Sequence, residues 1–124
     1  MKHAKLVLRI LLGLIFFAGS LTYFFAAPPP PMAGPAGAFA GAMMATGYFF
    51  PVLKATELIG GLLLLSGFFV PLALIILAPI TLQIVLFHSF LLPQGMYLQA
   101  AMLVIHVILG YLYRNSYREI LKAK

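Results

Sequence analysis

Two acidic residues, eight lysines and arginines, three histidines and no cysteine are the ionisable side chains with which this 124-residue chain could do chemistry, tyrosines aside. One of the two acids, Glu57, sits in GYFFPVLKATELIGGLLLL, residues 47–65, three positions after Lys54. Residues three apart on a helix are neighbours, so the two can pair directly. His88, His106, Gln83, Gln99, Thr22 and Ser20 are further polar groups set inside apolar runs. A carboxylate, a cation and imidazoles gathered in one place would hold a polar headgroup and exchange protons with it. Glu57, His88 and His106 also make a formal two-histidine, one-carboxylate set, but they come from three separate runs without a ligand spacing, and no metal site is read from them. No phosphate-binding loop, nucleophile motif or paired-carboxylate site occurs, so no catalytic residue is assigned and a self-sufficient enzyme is not expected. Without cysteine there are no disulfides, thiolate metal sites or thiol redox pairs; a redox role needs an external cofactor or a partner.

The elements that must position these groups follow from composition. With 64% hydrophobic and 8% charged residues and a mean hydropathy of +1.10, the chain cannot cover a water-facing surface and belongs in a bilayer. A helix crossing the hydrocarbon core needs about 20 mostly apolar residues. Four such runs are present, at residues 6–27, 52–69, 72–92 and 96–113. In lipid the backbone must satisfy its own hydrogen bonds, so these are helices. The expected fold is all-α, an integral membrane four-helix bundle in one transmembrane domain spanning residues 1–124. The first run follows Lys2, Lys5 and Arg9 as a secretory signal would, but it exceeds the roughly 7–15 residues of a signal's apolar core, and prolines follow it; it reads as a retained anchor.

Between the first two runs lies a connection, residues 28–50. AAPPPPMAGPAGAF, residues 26–39, carries five prolines and is expected to be stiff and extended at its start. AGAFAGAMMATGYFF then offers only about a dozen apolar residues before Pro51, which predicts a short interfacial or re-entrant helix between spans 1 and 2. Gly47 suits a left-handed helix end and Pro51 the first turn of the next helix. SGFFVP, residues 66–71, predicts a tight turn that makes the second and third spans antiparallel neighbours.

Lys2, Lys5 and Arg9 precede the first span, and Arg114, Arg118, Lys122 and Lys124 follow the fourth. Both ends are therefore expected on the cytoplasmic side of a bacterial inner membrane, with the 28–50 connection outside. The net charge of +6 then reflects topology and anionic headgroups; no soluble domain exists to present a nucleic-acid-binding face. The bilayer is the first partner, and so small a bundle leaves helix surface for further copies or another protein.

At about 1.5 Å of rise per residue, Lys54 lies about 5 Å and Glu57 about 9 Å below the outer face. His88 lies about 6 Å deep, Gln83 about 13 Å, Gln99 about 5 Å, His106 about 15 Å and Thr22 about 7 Å. The polar groups thus share the outer half, and the inner half is almost wholly aliphatic and aromatic. On a helical wheel Gln83 and His88 are roughly 140° apart, so both are not expected to face one cavity equally, and His88 is preferred for its ionisable ring. The two deep histidines differ in depth by about 9 Å, which does not suit two axial ligands of one haem.

Each residue also has a structural explanation. Lys54 can snorkel to the interface. His106, Thr22, Gln99 and Ser20 can be interhelical hydrogen-bonding groups, and Gly13, Gly19, Gly60, Gly61 and Gly110 can allow close helix approach. An intramembrane carboxylate such as Glu57 is costly unless paired or hydrated, which makes it the strongest functional candidate. The ligand-binding set carried forward is Lys54, Glu57, His88, Gln99, His106, Thr22 and Gln83.

RILLGLIFFAG at residues 9–19, and AGAFAGAMMATGYFFPVLKATELIGGLLLLSGFFVPLAL at 36–74 with its ELIGGLLLLSG core, resemble the DoxX family of small bacterial membrane proteins. LAPITLQIVLFHSFLLPQG, residues 77–95, resembles one subgroup of it. The resemblance implies a four-helix bundle in the cytoplasmic membrane, and for some relatives a place as a subunit of quinone-linked sulfur oxidoreductases or beside oxidative-stress enzymes. Two functions are thereby expected as alternatives: an accessory subunit binding a quinone or another small amphiphile beside an oxidoreductase, or a non-redox small-solute carrier or membrane scaffold.

Overall fold

The computed structural model describes residues 2–26, 33–91 and 96–118, and these are helical almost throughout. Helix α1 covers Lys2–Phe25, α2 Gly34–Ala45, α3 Phe49–Ser66, α4 Val70–Phe90 and α5 Tyr97–Leu112, followed by a 3-10 turn at Arg114–Tyr117. The prolines at 28–31 and the short connection at 93–95 lie outside the described residues. Helices α1, α3 and α4 are each long and apolar enough to cross a membrane, and the whole is an integral membrane helical bundle. The fourth expected span comes out shorter than its apolar run, because α5 has 16 residues and is about 24 Å long against a hydrocarbon core of about 30 Å.

The four long helices close a ring in which α1 packs on α3, α3 on α4, α4 on α5 and α5 back on α1. The α1–α3 seam is the most extensive, and glycine makes it possible. A Cβ on Gly61 would stand 2.8 Å from the Phe17 amide nitrogen and 3.0 Å from the Gly13 carbonyl oxygen, so the two backbones touch. Gly60 faces the Leu77 side chain at 2.8 Å. A Cβ on Gly19 or Gly110, expected to serve the same purpose, would meet nothing within 4 Å among the described residues, so neither marks a close crossing there.

The core of Leu12, Phe16, Leu64, Ala73, Leu74, Leu77 and Leu109 fills the half of the bundle around the α3–α4 turn. That turn is reversed by Gly67 at φ 84° and Phe69 at φ 55°. The Tyr117 hydroxyl donates to the Pro71 carbonyl at 2.8 Å, tying the C-terminal turn to it. Burial, and then the neighbouring Tyr113, push the Tyr117 phenol above its ordinary value, so it remains a donor.

At the opposite end, the short helix expected between spans 1 and 2 is present as α2. Gly47 takes the left-handed conformation just past it, at φ 79°, and Pro51 sits in the first turn of α3. Thr46 joins the two helices, its hydroxyl donating to the Met43 carbonyl at 2.8 Å and accepting from the Phe49 amide at 3.1 Å. This double use of one hydroxyl starts α3 at Phe49, three residues before the apolar run at 52.

Candidate functional site

Because the core fills only one half, space remains in the other. A cavity of about 470 Å³ lies under α2, walled by Phe39, Ala40 and Met43 of α2, Phe49, Phe50, Leu53 and Lys54 of α3, and Pro79, Ile80, Gln83, Phe87 and His88 of α4. That volume suits a small organic ligand. Its walls are mainly aromatic and aliphatic. Phe39 and Phe87 are in contact on its wall, their ring centroids 5.7 Å apart and their planes tilted by 43°, and Phe87 meets the His88 ring edge-on at 5.4 Å.

Three side chains with polar tips line the cavity. Lys54 is one, and its ammonium is held from behind by Glu57, with Nζ 3.6 Å from Oε2. Glu57 is 4% exposed and does not itself line the cavity. Of the pair, Lys54 is the member that lines the cavity, and Glu57 is buried beside it. The shorter carboxylate stays buried while the four-carbon lysine stem reaches further out.

His88 and Gln83 both line the same cavity, although they stand roughly 140° apart on the helical wheel. The cavity spreads over a wide arc of α4, from Pro79 to His88, so residues far apart on the wheel meet it at different points. His88 Nδ1 lies 2.7 Å from the Ile84 carbonyl oxygen. A carbonyl only accepts, so Nδ1 donates, and in the neutral ring Nε2 is an acceptor. Among the described residues Nε2 has no partner.

His106, Gln99 and Thr22 do not line this cavity. His106 is buried, with Nε2 2.9 Å from the Leu74 carbonyl and Nδ1 2.9 Å from the Thr81 hydroxyl. Its Nε2 must donate, leaving Nδ1 of the neutral ring to accept from Thr81. Both nitrogens are thus spent pinning α5 to α4. Replacing His106 by Leu leaves a buried hydroxyl and a carbonyl short of a partner, and a loss of about 1–3 kcal/mol is expected, read as a lower thermal midpoint in detergent. Thr81→Val, which also deprives Nδ1, is expected to cost about 1 kcal/mol.

Thr22 is exposed and its hydroxyl donates to the Ala18 carbonyl one turn back, at 2.8 Å. Ser20, fully buried, does the same to Phe16 at 2.7 Å. Gln99 Oε1 is buried without a hydrogen-bond partner. No group of three or more histidine, cysteine, aspartate or glutamate residues among the described residues could hold a metal ion.

What the sequence reading missed is the contribution of α2. Phe39, Ala40 and Met43 form a wall of the cavity, yet a short apolar helix without charge or amphipathic pattern carries no mark of which side faces inward. The TGYFFP segment was the available signal, since it fixes the turn that folds α2 back over α3.

The family model described as DoxX matches residues 4–89, more than half of the chain, and takes in α1 to α4 with the whole cavity wall. No curated protein and no solved structure matches the chain. The family match establishes that this chain belongs to the DoxX family.

Proposed function

We propose that this protein is an accessory subunit of a membrane-bound oxidoreductase system, and that it seats the ring of a quinone, or of a small amphiphile of similar shape, in the cavity under α2. The observation that carries this reading is a largely apolar, aromatic-walled cavity whose lining includes Lys54, Gln83 and His88. A quinone has that chemistry: a flat apolar ring, two carbonyl oxygens that accept hydrogen bonds, and two hydroxyls once reduced. Phe39 and Phe87 offer faces for the ring. Lys54 and Gln83 donate to carbonyl oxygens, and His88 Nε2 accepts from a hydroxyl of the reduced form. Electrons pass to and from a partner oxidoreductase; this chain positions the ring and moves protons. The protein lies in the bacterial cytoplasmic membrane as one transmembrane domain with both termini on the cytoplasmic side, as Lys5, Arg9, Arg114 and Arg118 at one end favour.

The test uses the purified protein with a short-tailed benzoquinone or naphthoquinone. Added quinone is expected to raise the thermal midpoint of the wild type, and Phe87→Ala to weaken apparent binding about tenfold through the lost ring contact. His88→Phe keeps the aromatic wall and removes the acceptor, so it is expected to weaken the hydroquinone more than the quinone. A midpoint that ignores quinones of every tail length but responds to a water-soluble solute would replace this reading with that of a carrier.

A further inference from the structure

The quinone reading leaves the other end of the bundle without a task, and Arg9 lies there. It is half-buried, seven residues into α1, with its guanidinium against the α3–α4 turn. A Cβ on Gly67 would stand 2.7 Å from Arg9 Nη1, so the glycine, already left-handed, also makes room for the guanidinium. Arg9 Nε is buried with no hydrogen-bond partner among the described residues. Lys5 stands one turn earlier on the same face of α1, its Nζ 4.3 Å from the centre of the Tyr113 ring. Beside the turn, Phe68 and Phe69 are each 70% exposed. The start of α1, the α3–α4 turn and the C-terminal turn therefore converge on two cations flanked by exposed aromatic rings.

Among the described residues no acid pairs with this charge. The chain has two acids, of which Glu57 is engaged by Lys54 in the half of the bundle that holds the cavity, and Glu119 lies outside the described residues. A guanidinium is a planar fork that matches phosphate oxygens two at a time, and an ammonium one turn away adds a point charge. A phosphate next to exposed phenylalanines at the end of a membrane bundle is available from lipid, whose chains the rings can meet. We infer that Arg9 and Lys5, set against the Gly67 turn, bind the phosphate of an anionic phospholipid at a defined site. A zwitterionic lipid is a poorer occupant because its choline already neutralises its phosphate.

Native mass spectrometry of the full chain, purified in detergent doped with mixtures of phosphatidylglycerol and phosphatidylcholine, tests this. The wild type is expected to retain one phosphatidylglycerol in preference to phosphatidylcholine. R9Q is expected to need about tenfold more phosphatidylglycerol for equal occupancy, the loss of a charge-assisted fork. R114Q removes the same charge from an exposed arginine over Tyr111 and is expected to behave as wild type. Equal losses in R9Q and R114Q, or no lipid preference in the wild type, would overturn the site in favour of diffuse attraction. R9K keeps the charge and the helix while removing the fork, so it serves should R9Q fold poorly; it is expected to bind several-fold more weakly, and wild-type retention by R9K counts against the fork. Inorganic phosphate is expected to leave the lipid bound; if it displaces the lipid at matched ionic strength, the site takes a free anion and the lipid assignment falls.

Discussion

Gly61→Leu is expected to abolish the folded bundle, leaving little monodisperse protein on size-exclusion chromatography in detergent. Even Gly61→Ala should cost about 2–3 kcal/mol, although alanine is favoured over glycine in a helix by about 1 kcal/mol. The atoms that a Cβ would meet are the Phe17 amide nitrogen at 2.8 Å and the Gly13 carbonyl oxygen at 3.0 Å. Backbone cannot step aside as a flexible side chain can, so the whole α1–α3 seam must open. Gly60→Ala meets Leu77 instead, a side chain that can turn at the expense of core packing, and an intermediate loss is expected. Gly19→Ala has nothing within 4 Å and should be neutral or slightly stabilising. The thermal midpoints should therefore fall in the order Gly19→Ala, Gly60→Ala, Gly61→Ala. A Gly61→Ala protein as stable as the wild type would show that the seam is looser than described here.

The second large effect is expected from Lys54→Met. It leaves the Glu57 carboxylate, 4% exposed, without the ammonium that lies 3.6 Å away. Removing one member of a buried pair costs far more than the pair contributes, and a loss of about 3 kcal/mol is expected. Glu57→Gln should cost less, because an amide needs no counter-charge and the lysine can turn toward the cavity. The double variant, Lys54→Met with Glu57→Gln, should recover most of the stability lost by Lys54→Met alone. Stability and ligand response then separate: the double variant is expected to fold yet show no midpoint shift with quinone, since the cation at the cavity wall is gone. A double variant that still responds to quinone would remove Lys54 from the site, and one no more stable than Lys54→Met would show that the two residues are uncoupled.

This arrangement also bears on why a chain with so few acids places one inside a helix. Glu57 is paired with Lys54, and the pair is tolerated because the carboxylate is enclosed and the ammonium is only partly so, with 24% of the lysine side chain exposed. The same economy recurs at His106, where one imidazole satisfies a hydroxyl on α4 and a main-chain oxygen on the same helix. His88 and Gln83, neither of them fully buried, line the cavity instead.

Composition and periodicity alone determined the helical membrane class, the short α2 between the first two long helices, the Gly47 helix end, the tight turn at residues 66–71 and the Lys54–Glu57 pair. All of these are local or one-dimensional: run length sets a helix against bilayer thickness, and a spacing of three sets neighbours on one helix. The tertiary structure decided which polar groups share a space. It turned His106 toward Thr81, set Gln83 and His88 on the wall of one cavity, buried Glu57 beside its lysine, and pressed Arg9 against the Gly67 turn. The reason is rotational: depth along an axis follows from counting residues, but the direction a face points depends on how neighbouring helices pack. In this bundle that packing rests on two glycine backbones in contact, a detail no hydropathy pattern encodes.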